Sequence, residues 1–184
     1  SRMPDGVYHQ GGVGANRQAV ALQIEAISQS RMAALGTKKM MMTHRTAIAR
    51  KKPSAPMSRL ASEDRLRGRC LDFGCGRGFD VDYFGIVGYD PYYRNDYPTG
   101  LFNTITCIYV LNVLPTEAER LSVLKEILGL LASDGTAYVA VRRDVKNPGF
   151  TTRGTYQENL QLSLPILHKT RGFYTHILTK EIQI

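Results

Sequence analysis

The sequence has no tryptophan, three cysteines in 184 residues, and no apolar run near the roughly 18 residues that a membrane-crossing helix needs. A helical membrane protein is therefore excluded. Cys70, Cys75 and Cys107 are odd in number, and neither a C-x-x-C pair nor a matching histidine set accompanies them. Neither a disulfide framework nor a structural metal is expected. No apolar leader with a small-residue cleavage site opens the chain, so a reducing cytoplasm is the expected compartment. With 17 Gly and 8 Pro the chain is too poor in both for a collagen-like or low-complexity polymer. What remains, at 43% hydrophobic and 22% charged residues, is a globular protein of one ordinary domain.

Acidic residues are also missing from one stretch. Residues 36–59 carry Lys38, Lys39, Arg45, Arg50, Lys51, Lys52 and Arg59 with no carboxylate, and residues 1–69 hold 13 basic against 4 acidic side chains. The rest of the chain is nearly balanced, with 11 against 12, so the net +8 belongs to the N-terminal part. DNA or RNA would release counterions on meeting such a segment, which makes Arg45, Lys51 and Lys52 candidate substrate contacts. The competing reading is a solvated arm that aids solubility. No aromatic residue interleaves these charges, so stacking on single-stranded bases is not indicated.

Residues 15–35 space Val20, Ile24, Ile27 and Leu35 helically, with Gly36 as a stop, and one of Met40, Met41 or Met42 is a candidate start. Pro53 and Pro56 mark a linker, and residues 58–66 read as a short polar helix. The division expected is a basic, partly helical arm over residues 1–57 and a domain over 58–184. Strands are expected at 69–73, 86–89, 102–114 and 136–141, with helices at 79–84 and after the capping box of Thr116 and Glu119. In that last helix Leu121, Leu124, Leu128 and Leu131 should share a face, and residues 133–135 should end it. Residues 160–167 and 173–179 read as a closing hairpin. Alternating strands and helices followed by a hairpin predict an α/β fold, a mostly parallel sheet flanked by helices.

The chemistry concentrates at 71–78, Leu-Asp-Phe-Gly-Cys-Gly-Arg-Gly, between a strand and a helix. Glycines let the backbone approach a ligand and the helix start offers N–H groups, which implies a nucleotide-like ligand. Asp90, at the end of the next strand, is placed to accept both hydroxyls of a ribose. Asp72 separates two cofactor classes: a carboxylate before the glycines repels a pyrophosphate and welcomes a cationic amino-acid end. S-adenosylmethionine satisfies this through Asp72, Gly74, Gly76 and Asp90, and a hydride-transfer cofactor is the runner-up.

The chain resembles the class I S-adenosylmethionine-dependent methyltransferases through D-F-G-C-G-R-G at 72–78, Y-D-P at 89–91 and Y-V-L-N-V-L-P at 109–115. The resemblance covers residues 69–141. It implies a Rossmann-like sheet with flanking helices and a cofactor site that includes Asp72, Phe73, Gly74, Cys75, Gly76, Asp90, Pro91, Tyr109 and Val110. More narrowly, residues 44–48, 53–56 and 154–157 resemble methyltransferases found beside DNA phosphorothioation genes. In one respect the chain departs from the family: only eleven residues separate Asp90 from Phe102, so the third strand is expected to be missing or reduced. Tyr92, Tyr93 and Tyr97 in that link either face the adenine or cover the sheet edge.

The residues expected at the acceptor site are Asn112 and Tyr156 as catalytic candidates, with His44 a weaker candidate base. Asn112-Val113-Leu114-Pro115 does not match the pattern of amino-directed DNA methyltransferases, and Cys75 and Cys107 are poorly placed for attack on a pyrimidine. The expected reaction is transfer to an acceptor that is already nucleophilic and needs only alignment. A nucleic-acid acceptor, a small-molecule acceptor and a non-catalytic cofactor-binding module stay open.

Overall fold

The inner strands are short apolar runs buried on both faces, the pattern of parallel strands covered by helices. They are β1 (Cys70–Phe73), β3 (Phe102–Ile108) and β4 (Leu131–Arg142), with β2 (Val87–Tyr89) at the edge. β2, β1, β3 and β4 lie parallel in that order, with Leu71 opposite Val87 on one side and Ile105 on the other. β8 (Phe173–Leu178) continues the sheet antiparallel to β4, and β7 (Ile166–Lys169) pairs antiparallel with β8, a closing hairpin whose first strand lies at 166–169 rather than over the expected 160–167. A separate two-stranded ribbon joins β5 (Gly149–Phe150) to β6 (Tyr156–Gln157). No third parallel strand lies outside β2 among the described residues, as the short link from Asp90 to Phe102 implied.

The computed structural model describes residues 42–184, so the helix expected over 15–35 and the candidate starts Met40 and Met41 lie outside the described residues. The described residues belong to one compact unit, within which the segment before Ala55 is tied down through Ser54 and Asp80.

Three helices flank the sheet. The first, α1 (Ala55–Ser62), begins three residues earlier than expected because Pro56 suits a first helical turn, and it is not polar throughout. Met57 and Leu60 are fully buried with Tyr138. Just past its end, Glu63 accepts from the buried His168 at 2.9 Å, tying α1 to β7. The second, α2 (Phe79–Phe84), matches expectation. The third, α3 (Glu117–Leu130), starts at the anticipated capping box, in which Glu119 N–H donates to Thr116 Oγ1 at 3.3 Å and Thr116 N–H to Glu119 Oε2 at 3.0 Å.

Three expectations are corrected. The face of α3 turned to the core is Val123, Leu124, Ile127 and Leu130, while Leu121 and Leu128 are only half-buried. Helix α3 ends at Leu130 and β4 begins directly at Leu131, so residues 133–135 lie in the strand rather than at a helix stop. The run 102–114 is not one strand: β3 ends at Ile108, and the chain turns through Tyr109 into a short 3-10 turn at Leu111–Val113. Apolar content alone did not distinguish a buried strand from a buried turn.

Candidate functional site

β1 is where the sheet order reverses, since β2 lies on one side and β3 on the other. Crevices at the carboxyl ends of strands at such a point are where open α/β sheets hold ligands. The glycine loop leaves β1 there. Gly74 has φ +79, and a Cβ on it would lie 2.3 Å from Val110 Cγ2, so only glycine fits this backbone against the neighbouring strand end. Gly74 and Cys75 N–H groups both donate to the Tyr89 carbonyl, at 2.7 and 3.0 Å, which fastens the loop to β2.

Asp90 organises the same corner. Its Oδ2 accepts from Gly76 N–H at 3.1 Å and its Oδ1 from Tyr92 and Tyr93 N–H at 2.9 Å. It is only half-buried and lines the cavity, so a carboxylate oriented by three amides faces the ligand space.

The cavity at this corner has a volume of about 120 Å³. Of the predicted site residues, Asp72, Gly74, Cys75, Asp90, Pro91, Tyr109, Val110 and Asn112 line it. Phe73 does not: alternation along β1 turns its ring into the core against Tyr89, and it is fully buried. Gly76 does not line it either and acts through its amide on Asp90.

Two acceptors distinguish the cavity floor. Asp72 is 3% exposed and accepts from Thr106 Oγ1 at 2.8 Å. Burial pushes its carboxyl up to about 7; the Thr106 hydrogen bond opposes this, the Asp80 carboxylate adds to it, Arg50 lowers it again, and Asp90 contributes a further rise. Asn112 is 1% exposed, and its Oδ1 has no hydrogen-bond partner among the described residues. A buried carbonyl without a donor is costly, and this one lines the cavity that Asp72 also lines. Between them Tyr109 has φ +62, a strained conformation for a residue with a side chain.

A strap, residues 42–54, roofs this floor. It opens as a 3-10 turn, Met42–Thr46, where the His44 ring stacks on Tyr92 at 4.0 Å between centroids and the Tyr93 hydroxyl donates to the His44 carbonyl at 3.4 Å. Its far end is held by Ser54, whose N–H and hydroxyl donate to the two oxygens of buried Asp80 at 2.9 and 2.7 Å. Between these anchors Ala47, Ile48 and Arg50 cross the cavity. Ligand pockets usually measure roughly 300–1,000 Å³. The strap thus narrows the site.

The other predicted residues fall outside the cavity. Lys51 and Lys52 are exposed on the strap and line neither the cavity nor the groove beside it. The Tyr156 hydroxyl donates to Glu158 at 2.8 Å, Glu158 is paired with Arg120, and the tyrosine ring packs on Phe150. The cavity is reached instead by the next residue, Gln157, which sequence reasoning missed because only the ribbon β5–β6 decides which of the two faces inward. Tyr97 packs edge-on against Tyr89 at the sheet edge, and none of Tyr92, Tyr93 and Tyr97 lines the cavity. His44 lines both the cavity and a second, open groove. Arg45, exposed, lines that groove together with Thr46, Ala47, Arg77, Tyr92, Tyr93, Arg153, Thr155 and Gln157. Among the described residues no cluster of three or more His, Cys, Asp or Glu could hold a metal ion, and no helix is long and apolar enough to cross a membrane.

Comparison with known proteins adds to this geometry. Residues 44–163 match the family model of a methyltransferase domain. No curated protein matches the chain. Among solved structures, DhpI in complex with S-adenosylhomocysteine is 13% identical with a TM-score of 0.51, covering 77% of this chain and 95% of that one. DhpI in a SAM–HEP complex gives 12% and 0.50, covering 81% and 95%. The N-methyltransferase NodS from Bradyrhizobium japonicum, solved with S-adenosylhomocysteine, is 15% identical with a TM-score of 0.45, covering 58% and 74%. At these identities the likeness to DhpI is one of fold.

Proposed function

The chain belongs to the methyltransferase-domain family, whose methyl donor is S-adenosylmethionine, and from that premise we propose that it methylates a nucleophile on a nucleic acid. The observation that carries the cofactor site is the pair of acceptors in one cavity: the orphaned Asn112 Oδ1 and the buried Asp72 carboxylate both call for donors, and Asp72 for a cation. The ammonium of S-adenosylmethionine meets that requirement. Asp90, oriented by Gly76, Tyr92 and Tyr93 amides, is the group for its ribose hydroxyls, and Gly74 permits close backbone approach. When bound, the cofactor supplies an electrophilic methyl group.

This chain's own contribution is alignment and exclusion of water. The strap, anchored by His44 and Ser54, covers the cavity, and a covered site strengthens every electrostatic contact within it. No cysteine nucleophile serves the reaction: Cys107 is fully buried, and burial pushes both its thiol and that of Cys75 far above the usual range. Proximity of an acceptor that is already nucleophilic is the catalytic device this site supports. Asn112 either holds the cofactor or orients the acceptor, and Tyr156 is bonded to Glu158 in the ribbon that presents Gln157.

The nucleic-acid reading draws on the basic strap, on which Arg45, Lys51 and Lys52 are exposed, and on the narrower resemblance to phosphorothioation-associated methyltransferases. A small-molecule acceptor is the second reading, favoured by the tight roof over the cavity. Calorimetric titration of the chain and of Asp90→Ala with S-adenosylmethionine, S-adenosylhomocysteine and NAD tests the cofactor. Adenosyl ligands should bind, NAD should not, and the substitution should weaken binding. A folded sample that binds neither adenosyl ligand refutes the reading. Transfer of a labelled methyl group to DNA, RNA or small metabolites then distinguishes the acceptors, and tight binding without transfer would leave a non-catalytic module.

A further inference from the structure

We infer that the groove beside the strap is a phosphate-binding subsite for the acceptor, built by Arg45, Arg77 and Arg153. The three arginines come from distant parts of the chain: Arg45 from the strap, Arg77 from the glycine loop, and Arg153 from the turn between β5 and β6. No acidic residue lines the groove among the described residues.

The contrast with the other arginines gives this convergence its meaning. Arg59, Arg65, Arg67, Arg94, Arg120 and Arg142 each pair with a carboxylate; Arg50, which lines the cavity, and Arg171 do not among the described residues, but neither lines the groove. Arg69 and Arg143 lie over aromatic rings and donate to backbone carbonyls. Arg45, Arg77 and Arg153 have no carboxylate partner among the described residues, and Arg77 lies 5.0 Å from the Tyr93 ring centroid, which leaves its edge available for bidentate donation. Three uncompensated guanidinium groups around one groove repel each other, and an anion relieves that repulsion. A phosphate accepts from several forks at once, which suits it better than a single surface counter-charge.

The groove adjoins the cavity. His44, Thr46, Ala47 and Gln157 line both, so a group anchored on the arginines has its neighbouring atoms delivered across the strap toward the cofactor cavity. Such a phosphate belongs either to a nucleic-acid backbone or to a small phosphorylated acceptor, and the inference rests on the methyltransferase reading only for calling the occupant an acceptor.

The test uses the full chain with two probes, inorganic pyrophosphate by calorimetry and a fluorescein-labelled single-stranded oligonucleotide by anisotropy. Arg153→Gln and Arg45→Gln are compared with Lys125→Gln, exposed on α3 and outside the groove, and circular dichroism checks that each variant is folded. Each arginine substitution should weaken binding about tenfold and Lys125→Gln by far less, since the fork donors and not the general positive field hold the anion. If the oligonucleotide binds and each arginine change lowers its salt dependence by about one unit, the phosphate is that of a nucleic acid. If pyrophosphate binds and the oligonucleotide does not compete, it is that of a small acceptor. Binding of neither probe, or binding indifferent to Arg45 and Arg153, overturns the proposal. Titration with S-adenosylhomocysteine in parallel separates the two claims: adenosyl binding with no arginine-dependent anion binding defeats the groove alone, whereas its loss in the unsubstituted chain defeats the methyltransferase reading.

Discussion

Cofactor affinity is expected to depend on pH through Asp72. Its carboxyl is pushed up to about 7, chiefly by burial, so near neutrality it is only partly ionised without ligand. A cationic ligand binds the ionised form and lowers that pKa, so affinity rises with pH toward a plateau above about 7. At pH 5.5 about 3% of the group is ionised and at pH 7.5 about three quarters, which makes binding up to about 25-fold weaker at the lower pH, about 1.9 kcal/mol. S-adenosylhomocysteine titrated calorimetrically between these pH values reads the effect, and buffers of different ionisation enthalpy reveal proton release. Asp72→Asn keeps the acceptor for Thr106 but removes the charge, so it should bind weakly and without the slope. The same shift carries a stability consequence. A carboxyl whose folded pKa lies above its unfolded value favours the folded state below the unfolded pKa and loses that contribution as pH rises through the folded one. For Asp72 the window runs from about 4 to about 7, with at most about 4 kcal/mol at stake. Asp72→Asn should therefore raise the melting temperature at pH 8 while weakening the ligand. A flat pH profile in the unsubstituted chain, or a slope that survives in Asp72→Asn, refutes the reasoning.

Gly74→Ala places a methyl group 2.3 Å from Val110 Cγ2 at φ +79; we expect loss of adenosyl binding and a lower denaturation midpoint, and near-normal binding would show that the loop can be rebuilt. Thr116→Ala removes one half of the capping box of α3, outside the cavity lining, and should cost about 1 kcal/mol in urea denaturation with ligand affinity unchanged.

Sequence pattern alone carried the sheet's class and singled out the glycine loop at the end of β1. That loop and Asp90 were legible because a left-handed turn packed against a strand end needs glycine and a carboxylate to take its amides, and the capping box was legible because it is a local exchange of hydrogen bonds. The shortened link after Asp90 announced a missing strand by its length alone. Local pattern failed where neighbours along the sheet decide the outcome. It ran β3 on through Tyr109, because buried strand and buried turn share one composition, and it chose Tyr156 over Gln157, because facing is set by the pairing of β5 with β6. Phe73 stood in the right motif and turned the wrong way, since a residue next to a ligand contact on a strand points to the opposite face. Only the tertiary structure showed that the basic segment is anchored over the cavity by His44 and Ser54, and that Arg45 meets Arg77 and Arg153. Those contacts join residues tens of positions apart, and folding rather than local propensity brings such groups to one place.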